Sequence, residues 1–201
     1  GSIKLMDTEV SSMNIKQLRK TGLVHVPEDR MTLGIAAEMP ISENMIADKV
    51  DNKRYFSKLL TNKKAVKEDT DEWIDEYKVL CKNGDQHVSG LSGGNIQKVV
   101  VAREFTSYNR LLVCDQPTRG IDVGASDFIR RRLVGMRDEG KAVLLVSADL
   151  GEVMALSDSL IVMYGGEIVA YFPDITNLTE DELGFYMLGV KKMSEEEIGG
   201  A

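Results

Sequence analysis

The sequence predicts an α/β fold built around a parallel sheet, on three observations. Leu111–Cys114 and Ala142–Val146 are short continuous apolar runs, the pattern of strands buried on both faces. Between them, Asp122 stands where an N-cap belongs and Gly140 where a helix stops, which gives a helix from about Val123 to Glu139. Strand, long helix, strand is a crossover between parallel neighbours in a covered sheet. The third observation is Leu91-Ser92-Gly93-Gly94-Asn95-Ile96-Gln97, where a serine and two glycines open into an apolar run that reads as a helix to about Tyr108. A backbone that approaches a ligand closely, followed by the unpaired N–H groups of a helix start, is an anion cradle. A plain helix-opening turn accounts for the same residues.

Composition bounds the rest. At 201 residues, 43% hydrophobic and 28% charged, the chain has enough apolar material for a core. A net charge of −7 argues against sequence-independent nucleic-acid binding, which needs a basic face. Cys81 and Cys114 stand far apart in apolar segments and read as reduced core residues. No apolar run approaches the roughly 18 residues of a membrane helix, and no signal peptide is visible. Gly1-Ser2 leads without an initiator methionine into an apolar stretch, and the chain reads as a segment of something longer.

In chain order, 3–6 reads as a short strand and Asn14–Lys20 as a polar helix. Leu23–Val26 alternates as a strand that stops at Pro27-Glu28-Asp29-Arg30. His25 has no second histidine or cysteine at metal spacing and reads as a packed or surface residue. Residues 41–88 are an insertion rich in lysine and acid, with a helix start at Ser42-Glu43-Asn44. Within 70–82, Trp73, Ile74, Tyr77, Leu80 and Cys81 recur at helical spacing, which predicts an amphipathic helix there. That block is either a helical layer on the main core or a docking surface. After the second strand come a helix over Leu150–Leu156 and a hairpin of Leu160–Tyr164 and Ile168–Phe172 around Gly165-Gly166. A helix over about Thr179–Leu188 follows, then a polar, frayed tail at 194–201.

Ligands of open parallel sheets lie beyond the carboxyl ends of the strands. The first apolar strand delivers Asp115-Gln116-Pro117-Thr118 there, and the second Ser147-Ala148-Asp149. An aspartate in that position suits a phosphate-bound Mg²⁺, held through water; it also suits a simple turn before Pro117.

Taken together, the stretches VPEDR, LSGGNIQK, DQPTRGIDVGA and SDSLIVMYGGEIV resemble the nucleotide-binding domain of ABC transporter ATPases. They look most like the second of two such domains in importers of simple sugars or nucleosides. The resemblance implies a P-loop NTPase-like core with a helical subdomain inserted at 41–88. The core would run through 3–40, up to the Q-loop, and resume over 89–193. Ser92, Gly93, Gly94, Asn95 and Gln97 would form the signature, acting in trans on the ATP of a second nucleotide-binding domain. Asp115 would close the Walker B strand and hold Mg²⁺, Asp122 would lie in the D-loop, and Glu28 would take the Q-loop position. Transmembrane permease subunits would dock near the Q-loop and helical subdomain, which places the protein at the cytoplasmic face of the membrane as a peripheral subunit.

The departures carry as much information. No Gly-x-x-x-x-Gly-Lys-Ser/Thr stretch is present, so the family's Walker A loop is expected upstream of this chain. Gln116 stands at the general-base position, Ala148 at the switch-histidine position and Glu28 at the Q-loop glutamine. A glutamine positions water without accepting its proton, and loss of a general base costs about 10²–10⁴ in rate. The implied protein is an ATP-driven importer's coupling subunit whose full length hydrolyses ATP, while this chain alone is inactive. Two alternatives stand beside it: a non-catalytic dimerisation module, and a soluble ABC ATPase of nucleic-acid metabolism, which the acidic charge disfavours.

Overall fold

Three strands, β3 (Leu23–Val26), β4 (Leu111–Asp115) and β5 (Ala142–Val146), form a parallel sheet in the order β3-β4-β5. The computed structural model describes residues 1–57 and 60–199. The α/β class predicted from the apolar runs is therefore the fold. Pairing sets Val24, Leu112 and Val143 side by side, and likewise Val26, Cys114 and Leu145. These residues share one face, and Val24, Val26, Leu112 and Cys114 on it are buried. Helix α4 (Gly93–Phe105) contacts β3, and α5 (Val123–Asp138) contacts β5.

The opposite face corrects the expectation of a sheet covered on both sides. On β5, Ala142, Leu144 and Val146 alternate into solvent, Leu144 with 51% and Val146 with 47% of its surface exposed. Continuous apolar runs here mark a strand with one face packed and one apolar face open. His25 lies in register with Val113 on that open face and is exposed.

The chain folds as two compact units, Gly1–Val146 and Ser147–Ala201. The first begins with a two-residue pairing of β1 (Lys4–Leu5) on β2 (Thr8–Glu9), shorter than the expected strand over 3–6. Met6, at φ 53°, makes the turn that ends β1. Helix α1 (Ile15–Thr21) starts on Asn14 in a reciprocal capping box with Gln17. Helix α2 (Ile41–Ile46) follows Pro40 and begins one residue before the predicted start, and Asn44 lies inside it. The buried Asn44 side chain accepts from the Ala36 amide at 2.8 Å and donates to the Ala36 carbonyl at 3.0 Å.

The helix predicted within 70–82 is displaced: α3 spans Lys63–Glu76. Lys78 adopts φ 52°, a left-handed conformation that ends a helix, and Val79 N–H turns back to the Ile74 carbonyl. The turn buries Tyr77 and Val79, while Leu80 is left 76% exposed. The ends of the 41–88 insertion lie side by side: Pro40 bridges His87, and Ile41 N–H reaches Gln86 O at 2.9 Å. Helix α4 stops at Phe105, short of Tyr108, where the Thr106 hydroxyl donates to Ala102 O at 2.6 Å. Cys114 is buried and Cys81 half-buried, and no disulfide joins them.

The second unit holds α6 (Leu150–Leu156), the hairpin β6 (Leu160–Tyr164) and β7 (Glu167–Phe172), and α7 (Glu180–Met187). Gly165 and Gly166, at φ 59° and 85°, supply the two left-handed residues of a tight hairpin turn. Leu160, Val162, Val169, Ala170, Ile175 and Leu183 form its core. The tail forms a short helix, α8 (Glu195–Gly199), instead of fraying; Gly200 and Ala201 lie outside the described residues. Among the described residues, no helix is long and apolar enough to cross a membrane.

Candidate functional site

In the first unit the structure gathers four of the sequence-predicted elements: the loop after β3, the start of α4, the end of β4 and the loop leading into α5. Ser92 is the N-cap of α4, in extended conformation, and is exposed. Its Oγ accepts from the Asn95 side-chain amide at 2.9 Å and more weakly from the Asn95 N–H at 3.5 Å. A hydroxyl that accepts in this way keeps its own proton as a donor. Gly93 and Gly94 open the helix, so their N–H groups are among those with no intrahelical carbonyl. A 13-residue helix places roughly half a positive charge there.

The rest of that stretch is engaged inside the protein. Asn95 Oδ1 accepts from the Leu80 N–H at 2.8 Å, which ties the helix start to the 41–88 insertion. Gln97 is 1% exposed, and its Oε1 has no hydrogen-bond partner among the described residues. Gly94 is demanded by packing: a Cβ there would stand 2.6 Å from Asp122 Oδ2 and 2.9 Å from the Ala125 methyl. Asp122 in turn caps α5, accepting from the Ala125 N–H at 2.9 Å.

At the end of β4, Asp115 is half-buried and pairs in register with Val146. Gln116 then adopts φ 48°, unusual for a non-glycine residue, while its N–H bonds the Val146 carbonyl at 2.8 Å. Non-glycine residues in this region cluster at functional sites because the surrounding structure must hold them there. Among the described residues, no group of three His, Cys, Asp or Glu side chains could hold a metal ion. Asp115 alone offers one hard oxygen, which fits an ion carried largely by phosphates and water and not a protein cage.

The loop after β3 holds a contact the sequence did not reveal. Glu28 pairs with the guanidinium of Arg119, and Arg30 donates to the carbonyls of Arg119 and Gly120. Asp29 accepts from the Met31 and Thr32 amides, each at 3.0 Å. Hydrogen bonds from Thr32 hold the Asp29 carboxyl below the usual range. The only sequence hint was the acid at 28 and the base at 119, and nothing in their spacing says they meet.

In the second unit, Asp149 caps α6 by accepting from the Glu152 N–H at 3.0 Å. Ser147 donates to the fully buried Glu152 carboxylate at 2.7 Å, and Asp149 N–H reaches Ser147 Oγ at 3.1 Å. Ala148 is exposed on this loop, and a methyl group cannot hydrogen-bond a phosphate.

A second feature of the first unit is a groove of about 690 Å³ between α1, the loop after α2 and α3. Its floor carries a charged network that sequence reasoning missed. Glu104, fully buried, accepts from both terminal nitrogens of Arg19 at 3.0 Å and from Arg103 Nε at 2.8 Å. Asp48 joins Arg19 at 3.2 Å and Lys49 at 2.9 Å. Burial draws the Lys49 ammonium below the usual lysine range, against the pull of Asp48 and Glu104.

No family model matches the chain. It is 37% identical over its whole length to the guanosine import ATP-binding protein NupO of Bacillus subtilis (strain 168) and spans 39% of that protein. It is 38% identical over 94% of its length to the nucleoside import ATP-binding protein NupA of Lactococcus lactis subsp. cremoris and spans 37% of it. The chain thus covers less than half the length of these relatives. Among solved structures, a nucleotide-free ATP-binding cassette from an ABC transporter superposes with a TM-score of 0.70 at 20% identity, over 98% of this chain and 75% of that one. A dimeric cassette in a post-hydrolysis state, bound to ADP and Pi, gives 0.70 at 18% identity over 85% and 72%. The fold is that of an ABC ATPase cassette, and the chain is homologous to the ATP-binding proteins of nucleoside and sugar importers.

Proposed function

We propose that the chain is part of the ATP-binding, energy-coupling subunit of an importer for nucleosides or simple sugars. It lends the start of α4 to a nucleotide held by a second nucleotide-binding domain. The observation that carries this reading is the contrast in readiness between two places. The α4 terminus presents an exposed hydroxyl at Ser92 and, at Gly93 and Gly94, backbone N–H groups that have no intrahelical carbonyl, whereas the proposed hydrolytic positions hold Gln116 and Ala148.

In this role Ser92 and Gly93 orient and bind phosphate oxygens, and the helix terminus stabilises their negative charge. Asp115 would hold the Mg²⁺ that accompanies ATP at this chain's own site, and that ion would neutralise phosphate charge there. Gln116 can orient a water but not take its proton, so this chain's own site holds nucleotide without efficient turnover. Names of relatives support nucleosides and sugars as the cargo class.

The groove over the charged network is proposed as the seat of a permease subunit's cytoplasmic segment. Lys16, Arg19, Lys20 and Lys49 outnumber Asp48 and Asp51 along it, and Tyr55 and Trp73 add apolar wall. A locally basic, part-aromatic groove on a chain of net charge −7 suits an amphipathic helix bearing acid. That role places the protein peripherally on the cytoplasmic face of the membrane.

The test is Ser92→Arg in the longer protein, with ATP hydrolysis and uptake as readouts. Filling the cradle with a long side chain is expected to lower hydrolysis about 100-fold or more, the scale of losing a preorganised anion donor. Unharmed hydrolysis and uptake would sink the proposal.

A further inference from the structure

One side chain in the first unit lies between a loop and a helix start. Arg30 opens a single π-helical turn, Arg30–Gly34. Its Nη1 donates to the Arg119 carbonyl at 2.9 Å and its Nη2 to the Gly120 carbonyl at 3.1 Å. A Cβ on Gly93 would lie 3.0 Å from the same Nη2, so the guanidinium fills the space between loop 116–122 and the first residue of α4. Its Nε is buried with no hydrogen-bond partner among the described residues. Burying that donor is unfavourable, so the two carbonyl bonds hold the group in place against a cost that a loose surface arginine would not bear.

The anchoring is reciprocal and rooted. Glu28, two residues earlier, takes the side chain of Arg119, so the loop after β3 grips loop 116–122 by both its backbone and its charge. The far end of the turn is fixed to α4, where Arg103 donates to the Gly34 carbonyl at 2.7 Å. A Cβ on Gly34 would meet Val100 at 3.1 Å.

We infer that Arg30 is a positioning residue that sets the spacing between loop 116–122 and the N-terminus of α4. A planar guanidinium can span two successive carbonyls, whereas a lysine ammonium reaches them only as a point charge. Movement of the loop after β3 therefore carries both Gly120 and the surface next to Gly93 with it. The effect of this spacing on ATP rests on the proposed role of Ser92 and Gly93; the spacing itself does not.

Amide hydrogen exchange in the 201-residue chain tests it, comparing the parent with Arg30→Gln and Arg30→Lys. Three amides report: Arg119, bonded to Gln116 O at 3.1 Å; Ala125, bonded to Asp122 Oδ1 at 2.9 Å; and Ile96, bonded to Ser92 O at 2.9 Å. In Arg30→Gln, exchange at Arg119 and Ala125 is expected to rise about tenfold and Ile96 to follow, with the β3–β4 ladder unchanged. Arg30→Lys should fall between, and it carries the same readout if the glutamine variant does not fold. Unchanged exchange at Arg119 overturns the inference, and so does an equal rise in the β3–β4 ladder, the mark of general destabilisation. In the longer protein, Arg30→Lys should lower kcat for ATP and leave KM unchanged. Loosened loop amides with unchanged kcat would keep the positioning role and overturn the nucleotide reading instead.

Discussion

The start of α4 and the end of β4 lie in the same unit, and they differ in the kind of group each relies on. At α4 the donors are backbone N–H groups, and they remain as long as the chain can stay slim at Gly93 and Gly94. At β4 the proposed chemistry depends on one side chain, and Gln116 lacks the basicity that a carboxylate would have there. The backbone at Gln116 is nonetheless held in a left-handed conformation, φ 48°, and bonded to Val146. On the proposed reading, binding made of main chain needs only slim residues, whereas hydrolysis needs one particular side chain, so a single substitution removes the second and leaves the first.

The largest effect that could break this contrast is a return of turnover at the β4 end. In the longer protein, Gln116→Glu is expected to raise single-turnover hydrolysis at this site about 100-fold, within the span of general-base effects. If that variant hydrolyses no faster than the parent, the scaffold at Gln116 is not competent and the contrast is wrong.

A smaller effect sharpens it from the other side. Gly94→Ala puts a methyl 2.6 Å from Asp122 Oδ2 and 2.9 Å from the Ala125 Cβ. Asp122 is the N-cap of α5, so relief means loosening that cap or shifting the helix. The expected loss is about 1–3 kcal/mol of stability, read as a lower urea midpoint for the 201-residue chain. An unchanged midpoint would mean that the two helix starts are not in contact as described.

What the sequence made legible was local. Asn14, Ser92, Asp122 and Thr179 read as helix starts, and each caps through a hydrogen bond a few residues away. The strands at Leu111 and Ala142 were equally plain, being runs of apolar residues between breakers. What stayed hidden was assembled from distant parts. Arg30 and its acceptors at Arg119 and Gly120 are 89 and 90 residues apart, and Arg19 and Glu104 are 85 apart. Helical spacing through Leu80 and Cys81 misled because Lys78 leaves the helix to let Tyr77 and Val79 go inside. The open face of β5 misled for a related reason: an apolar residue records a preference for burial, not the presence of a neighbour.

The smallest predicted effect is the most discriminating, because it splits two adjacent glycines. A Cβ on Gly93 meets the Arg30 Nη2 at 3.0 Å and the Gly120 carbonyl oxygen in ordinary contact at 3.8 Å. The guanidinium needs to give by only a few tenths of an ångström, within reach of its two carbonyl bonds. Alanine also favours the helix over glycine by up to about 1 kcal/mol, less in a first turn. Gly93→Ala should therefore leave the urea midpoint within about 0.5 kcal/mol of the parent. The same methyl sits next to Ser92 and crowds the Arg30 guanidinium beside it, so on the proposed reading hydrolysis in the longer protein should still fall, by about tenfold. Stability kept and activity lost at 93, against stability lost at 94, would assign the first glycine to the ligand and the second to the fold. If Gly93→Ala keeps both, the unpaired N–H groups of α4 are a helix start and nothing more.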